Sequence, residues 1–248
     1  MINKDLTKEY FNKIAKEYSV NDHKGNVDKS DIFINELIPV AYAPLILECG
    51  GGGGFYTDMF LKLGYNVDSV DISEEALLIN ANNAKKNGFI NKLNTYAGNF
   101  NEVVKERNIK YNQVLFIKVL HHFDSLQEIQ QAVELGYNVL ENNGRIIIFE
   151  PNGLNPFWKI FLKREYDKIT KKSKWEIEKN LKFTTVANLT FFFKENSIKY
   201  KVNYKYVIPA FLMQKKGLIP NILKFFNRML EKTFFKYLAF NILIVVNK

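Results

Sequence analysis

The run Leu45-Ile46-Leu47-Glu48-Cys49-Gly50-Gly51-Gly52-Gly53-Gly54-Phe55 constrains this chain most: an apolar stretch ends in a carboxylate and breaks into five consecutive glycines. A short apolar run bounded by glycine reads as a buried strand. Glycine weakens strands and helices, so such a run marks backbone that needs unusual dihedrals or close approach to another molecule. Residues 56–64 then take up helical spacing. Strand, glycine turn and helix together describe a nucleotide or nucleoside cradle, in which helix N-terminal amides face an anionic group.

The loop argues against two common ligands. The dinucleotide pattern G-x-G-x-x-G/A needs a small third residue for helix packing. Starting it at Gly50, Gly51 or Gly52 puts Phe55, Tyr56 or Thr57 there, and the Lys-Ser/Thr ending of a phosphate loop is absent. What remains is Glu48-x-Gly50-x-Gly52-x-Gly54. Further signals follow in order. Residues 66–71 alternate like a strand ending at Asp71, and Ile72-Ser73-Glu74-Glu75 opens a helix with Ser73 as its N-cap. An acid at that strand end is placed to accept both hydroxyls of a ribose, the plainer alternative being a turn residue. A third strand covers residues 93–97, followed by Gly98-Asn99-Phe100. A fourth covers residues 113–117, followed by Lys118-Val119-Leu120-His121-His122-Phe123. Residues 140–145 read as a helix end and turn, and residues 146–152 as a fifth strand leaving through Glu150-Pro151-Asn152.

From about residue 5 to residue 150, this series resembles the class I S-adenosylmethionine (SAM)-dependent methyltransferases, with a core like their types 11 and 25. The resemblance implies an α/β fold: a doubly wound, mostly parallel seven-stranded sheet with helices on both faces, an antiparallel last strand and helical cap insertions. It implies that Glu48 approaches the methionine ammonium, that the amides of Gly50, Gly51, Gly52 and Gly54 surround the carboxylate end, and that Asp71 and Ile72 hold the ribose side. Gly98, Asn99 and Phe100 then lie near the adenine and Lys118 at the cofactor wall. Asn99 departs from the family, which usually has Asp there; its amide can accept from the adenine amino group and donate to a ring nitrogen. The cofactor would be SAM and the product S-adenosylhomocysteine.

Methyl transfer from a sulfonium needs mainly desolvation and alignment, so a base helps without being obligatory. His121 and His122 are the candidate catalytic residues. Neighbours in an extended segment point to opposite sides, so one of the two faces the pocket, and His122 is favoured. The alternative is that both are structural. One cysteine and three histidines give no zinc pattern, and no carboxylate cluster for a metal is evident. Cys49 reads as a small buried apolar residue rather than a reactive thiol.

At 248 residues and 47% hydrophobic, the chain is long enough for one domain with a full core, expected to span residues 1–248. Lid helices are expected over 1–40, a SAM-binding core over 44–150, a cap over 151–183 and a helical insertion over 209–239. Leu6, Tyr10, Phe11, Ile14 and Tyr18 fall at helical spacing, and Tyr18 can close over the methionine end or simply pack. The N-terminus has no secretory h-region, so cytoplasmic residence is expected.

Lys and Arg number 35 against 26 Asp and Glu, a formal charge of +9. Nucleic acid, anionic membrane and acidic small molecules are therefore candidate partners, although A/T-rich codons for Lys, Asn, Ile, Phe and Tyr explain part of the bias. The aromatic and basic stretch after residue 155 is interrupted by Glu165, Asp167, Glu176 and Glu178, which favours a cap over an RNA surface. Residues 184–196 read as a helix, 199–208 as a sixth strand and 240–246 as the last. Residues 209–239 form a basic, aromatic-rich amphipathic stretch too interrupted to span a bilayer. It can pack on its own domain, lie on a membrane, cover a hydrophobic substrate or form a homodimer. The reading overall is a methyltransferase acting on a small, partly hydrophobic acceptor. The alternatives are an RNA- or membrane-associated methyltransferase, a catalytically silent methyltransferase-like subunit, and, disfavoured, an NAD(P)-dependent oxidoreductase.

Overall fold

The computed structural model describes residues 12, 31–42, 44–164, 166–167, 172–174, 178–213 and 217–248. Strand β1 (Leu45–Cys49) lies inside a seven-stranded sheet that also contains β2 (Asn66–Asp71), β3 (Leu93–Ala97), β4 (Tyr111–Ile117) and β5 (Leu140–Pro151). A two-stranded ribbon, β6 (Tyr166–Asp167) and β7 (Lys172–Ser173), stands apart from it, and β8 (Tyr200–Lys205) and β9 (Asn241–Asn247) complete the main sheet. The order is β3-β2-β1-β4-β5-β9-β8. All pairs from β3 through β5 are parallel, and β9 runs antiparallel to both β5 and β8. This is the expected doubly wound sheet with an antiparallel last strand.

The central strands are apolar throughout because both of their faces are covered. Alternate residues divide between two cores. Leu47, Phe116, Ile148 and Ile244 face one. Ile46, Leu115, Ile147 and Leu243 face the other. Helices α1 (Asp31–Ile34), α2 (Phe55–Lys62), α3 (Glu74–Lys86), α4 (Phe100–Lys105) and α5 (Leu126–Asn138) alternate with the first five strands. Their starts follow the side chains at their N-caps: Ser73 accepts from the Ala76 amide, Asn99 from Asn101 and Ser125 from Glu128.

Several boundaries differ from the sequence reading. Residues 140–145 belong to β5, not to a turn, because α5 ends at Asn138 and the chain enters the sheet directly; a register shift opposite Tyr111 and Gln113 absorbs the extra residues. The single helix expected over 184–196 divides into α7 (Val186–Leu189) and α8 (Phe191–Glu195) after α6 (Phe157–Arg164). The division falls at Thr190, whose hydroxyl donates to the Val186 carbonyl. Strand β8 ends at Lys205, since Tyr206 takes φ 64°. Residues 209–239 contain α9 (Ala210–Met213), α10 (Leu218–Leu230) and a 3-10 turn, Phe234–Leu238. The lid expected near Tyr18 lies outside the described residues; of residues 1–30 only Asn12 is described, and it accepts a hydrogen bond from Ser73 Oγ at 2.6 Å.

Polar side chains tie the cap to β5 and to the segment just before β9. Asn152 Nδ2 donates to the carbonyls of Tyr237 and Ala239, Asn155 Nδ2 to that of Leu238, and Thr184 Oγ1 to that of Pro151. No helix among the described residues is long and apolar enough to cross a membrane.

Phe116 shows how tightly the core is filled: it is fully buried, meets Phe100 edge-on at 5.2 Å, and lies close against Gly136. Phe116→Ala should lower unfolding free energy by about 3–5 kcal/mol, as for other large-to-small aromatic truncations. Denaturant unfolding read by circular dichroism checks this.

Candidate active site

Strand order reverses between β1 and β4, and ligands of open α/β sheets bind beyond the carboxyl ends of strands at that point. A cavity of about 370 Å3 opens there. Its wall takes Cys49, Gly50 and Gly52 from the end of β1, Asp71 and Ile72 from β2, Gly98 and Asn99 from β3, and Lys118 and Val119 from β4. Val70, Phe100, Glu102, His122, Phe123, Asp124 and Glu128 complete it. The volume falls in the roughly 300–1,000 Å3 range of small-molecule sites.

The glycine loop is held from below. At Gly51 a Cβ would come within 1.8 Å of Ser69 Oγ, so only glycine lets the loop lie so close to β2. Gly52 sits at φ +50° with nothing within 4 Å of where its Cβ would be, on the side open to the cavity. That is a cradle which a side chain would fill. The Gly52 amide donates to Asp71 Oδ2 and the Ser73 amide to Asp71 Oδ1, both at 2.9 Å, so Asp71 ties the first loop to the second. Burial raises the Asp71 pKa against these amide bonds.

Glu48, expected to meet a ligand ammonium, is buried and is not among the residues lining the cavity. Its carboxylate turns beneath Gly51, off the cavity wall, accepting from Thr57 Oγ1 at 2.5 Å and Ser69 Oγ at 3.2 Å. Asn80 Nδ2 in turn donates to Thr57 Oγ1. The physical reason is burial: a carboxylate removed from water needs hydroxyl donors. Burial pushes its pKa up to about 7 despite those bonds, with the Asp71 charge adding to the rise. Gly51 and Gly54 likewise support the loop from behind; the Gly54 amide donates to the Gly51 carbonyl. Cys49 is buried, and burial raises its thiol pKa well above normal, which suits the apolar role read from sequence.

At the far end, Gly98, Asn99 and Phe100 line the wall, but the Asn99 amide is already engaged. Its oxygen caps α4 through the Asn101 amide, and its Nδ2 donates to Glu128 Oε1 at 2.7 Å. Any adenine contact by that oxygen would use its second lone pair. Lys118 stands at φ 56°, a left-handed conformation uncommon outside glycine, with its ammonium bonded to Asn241 Oδ1 and over the Phe149 ring. Such outliers concentrate at functional sites.

The turn after β4 departs from the extended segment assumed in the sequence reading. Leu120–His122 is a 3-10 turn, so the two histidine rings do not point to opposite sides; their centroids are 3.9 Å apart. His122 lines the cavity and is about one-fifth exposed (21%), while His121 is buried. Glu150, fully buried at the end of β5, shapes this turn. Its Oε1 accepts from the Val119 and Leu120 amides at 2.7 and 2.9 Å, and its Oε2 pairs with His121 Nδ1 at 2.7 Å. Glu178 Oε2 lies 3.3 Å from His121 Nε2 and 3.8 Å from His122 Nδ1. Burial opposes protonation of His121, but the Glu150 charge and hydrogen bond outweigh it and raise its pKa, with Glu178 adding to the rise. Burial would raise the Glu150 pKa, yet His121 and the two amides bring it below normal. His122 is lowered to about 4 by burial and by the neighbouring His121 charge. It is therefore a neutral imidazole at neutral pH.

Glu150, Glu178, Asp124 and Glu128 were not singled out from sequence as site residues. Glu150 carried a usable signal, the same one as Glu48: a carboxylate ending an apolar strand. His121, His122 and Glu178 offer ligand atoms within 4.8 Å of one another, the spacing of a metal site that sequence did not suggest. His121 Nδ1 is bonded to Glu150, whereas Glu178 Oε2 is buried without a hydrogen-bond partner and meets the two rings only as ion-pair neighbours.

The cavity's donor set favours a cation. Asp71, Glu102, Asp124 and Glu128 stand on its wall against Lys118. That charge pattern is unsuited to a pyrophosphate and suited to a sulfonium and an ammonium, with hydroxyls for Asp71 to bind. The residues present thus fit SAM.

Residues 47–146 match the family described as "Methyltransferase domain". The chain is similar to the ribosomal protein L11 methyltransferase of Prochlorococcus marinus strain AS9601, with 32% identity over 104 residues, 41% of this chain and 33% of that protein. It thus spans about a third of the length of this curated relative. In three dimensions it resembles a SAM-dependent methyltransferase from Archaeoglobus fulgidus at a TM-score of 0.61 and 15% identity, covering 91% of this chain and 95% of the other. It also resembles the protein of a DhpI–SAM–HEP complex at a TM-score of 0.59 and 13% identity, covering 99% and 96%. The fold is that of the class I SAM-dependent methyltransferases.

A pH-dependent stability follows from Glu48. Its folded pKa of about 7 exceeds the ordinary value of 4.5, so the native state holds this proton more tightly than the unfolded chain does. The associated stability is full below the unfolded pKa and is lost as pH rises through about 7. Glu48→Gln keeps the size and abolishes the titration, so its melting temperature relative to the parent should rise between pH 5 and pH 8 in thermal scans across buffers.

Proposed function

We propose that the protein moves a methyl group from SAM to a small, partly hydrophobic acceptor, a reading supported by the match of residues 47–146 to the methyltransferase-domain family. The observation that carries this reading is the cavity at the β1–β4 reversal, with a glycine cradle, Asp71 on its wall at the end of β2 and more carboxylates than cations around it. When bound, SAM supplies a methyl on a positively charged sulfur, open to in-line displacement by a nucleophile approaching from behind that methyl.

The chain's own residues bind, orient and exclude water. Asp71 accepts the ribose hydroxyls through lone pairs left over from its bonds to Gly52 and Ser73. The backbone at Gly52 admits the carboxylate end of the amino acid. Ile72 and Phe100 present apolar surface to the ribose and base. Glu48, beneath Gly51, holds the loop from behind through Thr57 and Ser69. His122, Val119 and Phe123 bound the acceptor side, where apolar surface desolvates the nucleophile. The neutral His122 takes the proton that a hydroxyl or an ammonium acceptor gives up, and Glu150 positions the turn that carries it. Tyr18, the expected lid residue, lies outside the described residues. None of the described residues of 209–239 lines this cavity.

Calorimetry tests the donor site. Asp71→Ala should weaken SAM binding by roughly 10- to 100-fold, the loss of hydrogen bonds to a charged group. Unchanged affinity would remove SAM from this cavity, and binding of NADH in preference to SAM would restore the oxidoreductase alternative. Once an acceptor is in hand, His122→Ala should lower kcat by about 100-fold while SAM affinity changes by less than about threefold. In the parent, the acid limb of kcat/KM should lie near pH 4, not near the ordinary imidazole value of 6.5.

A further inference from the structure

Helix α10 is amphipathic in an inverted sense: the side that docks on the protein is the less apolar one. Leu218, Ile219, Ile222, Phe225, Phe226 and Met229 recur at spacings of one, three and four, which places them within one face at ~100° per residue. That face is exposed: Leu218 at 76%, Ile219 at 71%, Phe225 at 62% and Phe226 at 51%. On the opposite side Asn227 is buried, donating to Glu231 Oε1 at 2.8 Å and accepting from the Ile208 amide at 2.9 Å. Glu231 also accepts from the Tyr206 amide at 2.7 Å. These bonds hold the helix with its apolar face turned outward. The 3-10 turn that follows extends the surface with Phe234 at 80% exposure and Phe235 at 53%.

Charge selects the occupant. Residues 209–239 carry Lys215, Lys216, Lys224, Arg228, Lys232 and Lys236 against Glu231 alone, six minus one, or +5 of the chain's +9. Lys224 and Arg228 lie on the flank of α10 between the docked and outward faces, both exposed. Two copies meeting through this face would bring two such segments together, whereas an anionic surface would neutralise both. Long basic side chains flanking a greasy face can lie along it while their charges reach headgroups. At 13 residues the helix is far too short to cross a bilayer but suited to lie in its interface. It also leaves the sheet at the ligand end, because β8 runs parallel to β5 and β9 returns antiparallel to both.

We propose that the outward face of α10, with the Phe234–Leu238 turn, docks on the surface of an anionic lipid bilayer. This docking does not depend on the methyl-transfer reading, and its test does not use activity.

Co-sedimentation of the full chain with phosphatidylcholine vesicles, with and without phosphatidylglycerol, is the direct measurement. Binding should be at least ~10-fold stronger to the anionic vesicles and should weaken as salt rises. The double variant Phe225→Ser/Phe226→Ser should lose ~10-fold or more of that binding with an unchanged circular dichroism spectrum. Should it fail to fold, Lys224→Gln/Arg228→Gln leaves the apolar face intact and should remove most of the salt-sensitive part. A folded parent that stays in the supernatant with anionic vesicles overturns the proposal. So does light scattering that shows a dimer dispersed by the Phe225→Ser/Phe226→Ser change, in a protein that ignores vesicles.

Discussion

Three carboxylates at the carboxyl ends of strands organise everything on the ligand side of this protein. Glu48 lies at the end of β1, Asp71 ends β2 and Glu150 lies at the end of β5; Glu48 and Glu150 are buried, and Asp71 is partly buried at the cavity wall. Removing a carboxylate from water costs several kcal/mol unless donors replace the lost hydration. Each of the three finds its donors on a neighbouring segment: Glu48 on Thr57 and Ser69, Asp71 on the Gly52 and Ser73 amides, Glu150 on the Val119 and Leu120 amides and His121. The cost of burying the charge therefore becomes a constraint on loop geometry. A strand end that would otherwise be a free loop is held to a defined shape.

The three are not equally ionised, and the difference tracks their donors. Glu48 has two hydroxyls and rises to about 7, whereas Glu150 has two amides and an imidazole and falls below its ordinary range. Hydrogen bonds to the charged form, and a positive neighbour, are what overcome desolvation. His121 is the counterpart of this balance, raised by Glu150 and in turn depressing His122. A single buried pair thus shifts two adjacent, chemically identical rings in opposite directions, His121 toward the protonated form and His122 toward the neutral one. The same logic extends to the wall, where carboxylates predominate and a cationic ligand meets a complementary field.

Specialisation lies downstream of Glu150. The cap is stitched to β5 and to the segment before β9 through Asn152, Asn155 and Thr184, all bonding to backbone carbonyls, while Phe157, Trp158 and Phe161 pack on Phe240. Helix α10 follows the same rule, pinned by Asn227 and Glu231. Polar attachment leaves apolar side chains over, and they face outward. In a chain whose core strands are buried on both faces, this is the place where large hydrophobic residues are spent on the surface.

Much of the core was legible in the amino-acid order because it depends on neighbours in the chain. The N-cap at Ser73, the strand over residues 93–97 and the glycine turn follow from local hydrogen bonding, apolar runs and allowed dihedrals. The antiparallel last strand and the cofactor class came through resemblance over the same stretch. Tertiary packing alone decided the rest. Glu150 and Glu178 reach the histidines across long stretches of chain, and the 3-10 turn that sets the two rings together exists because Glu150 accepts the amides of Val119 and Leu120. Glu48 turned away from the cavity because buried hydroxyls were available behind the loop. The apolar periodicity of 209–239 was plain, but not its outward direction. Periodicity shows that a helix has a greasy face, while the hydrogen bonds of Asn227 and Glu231 determine which face meets the protein.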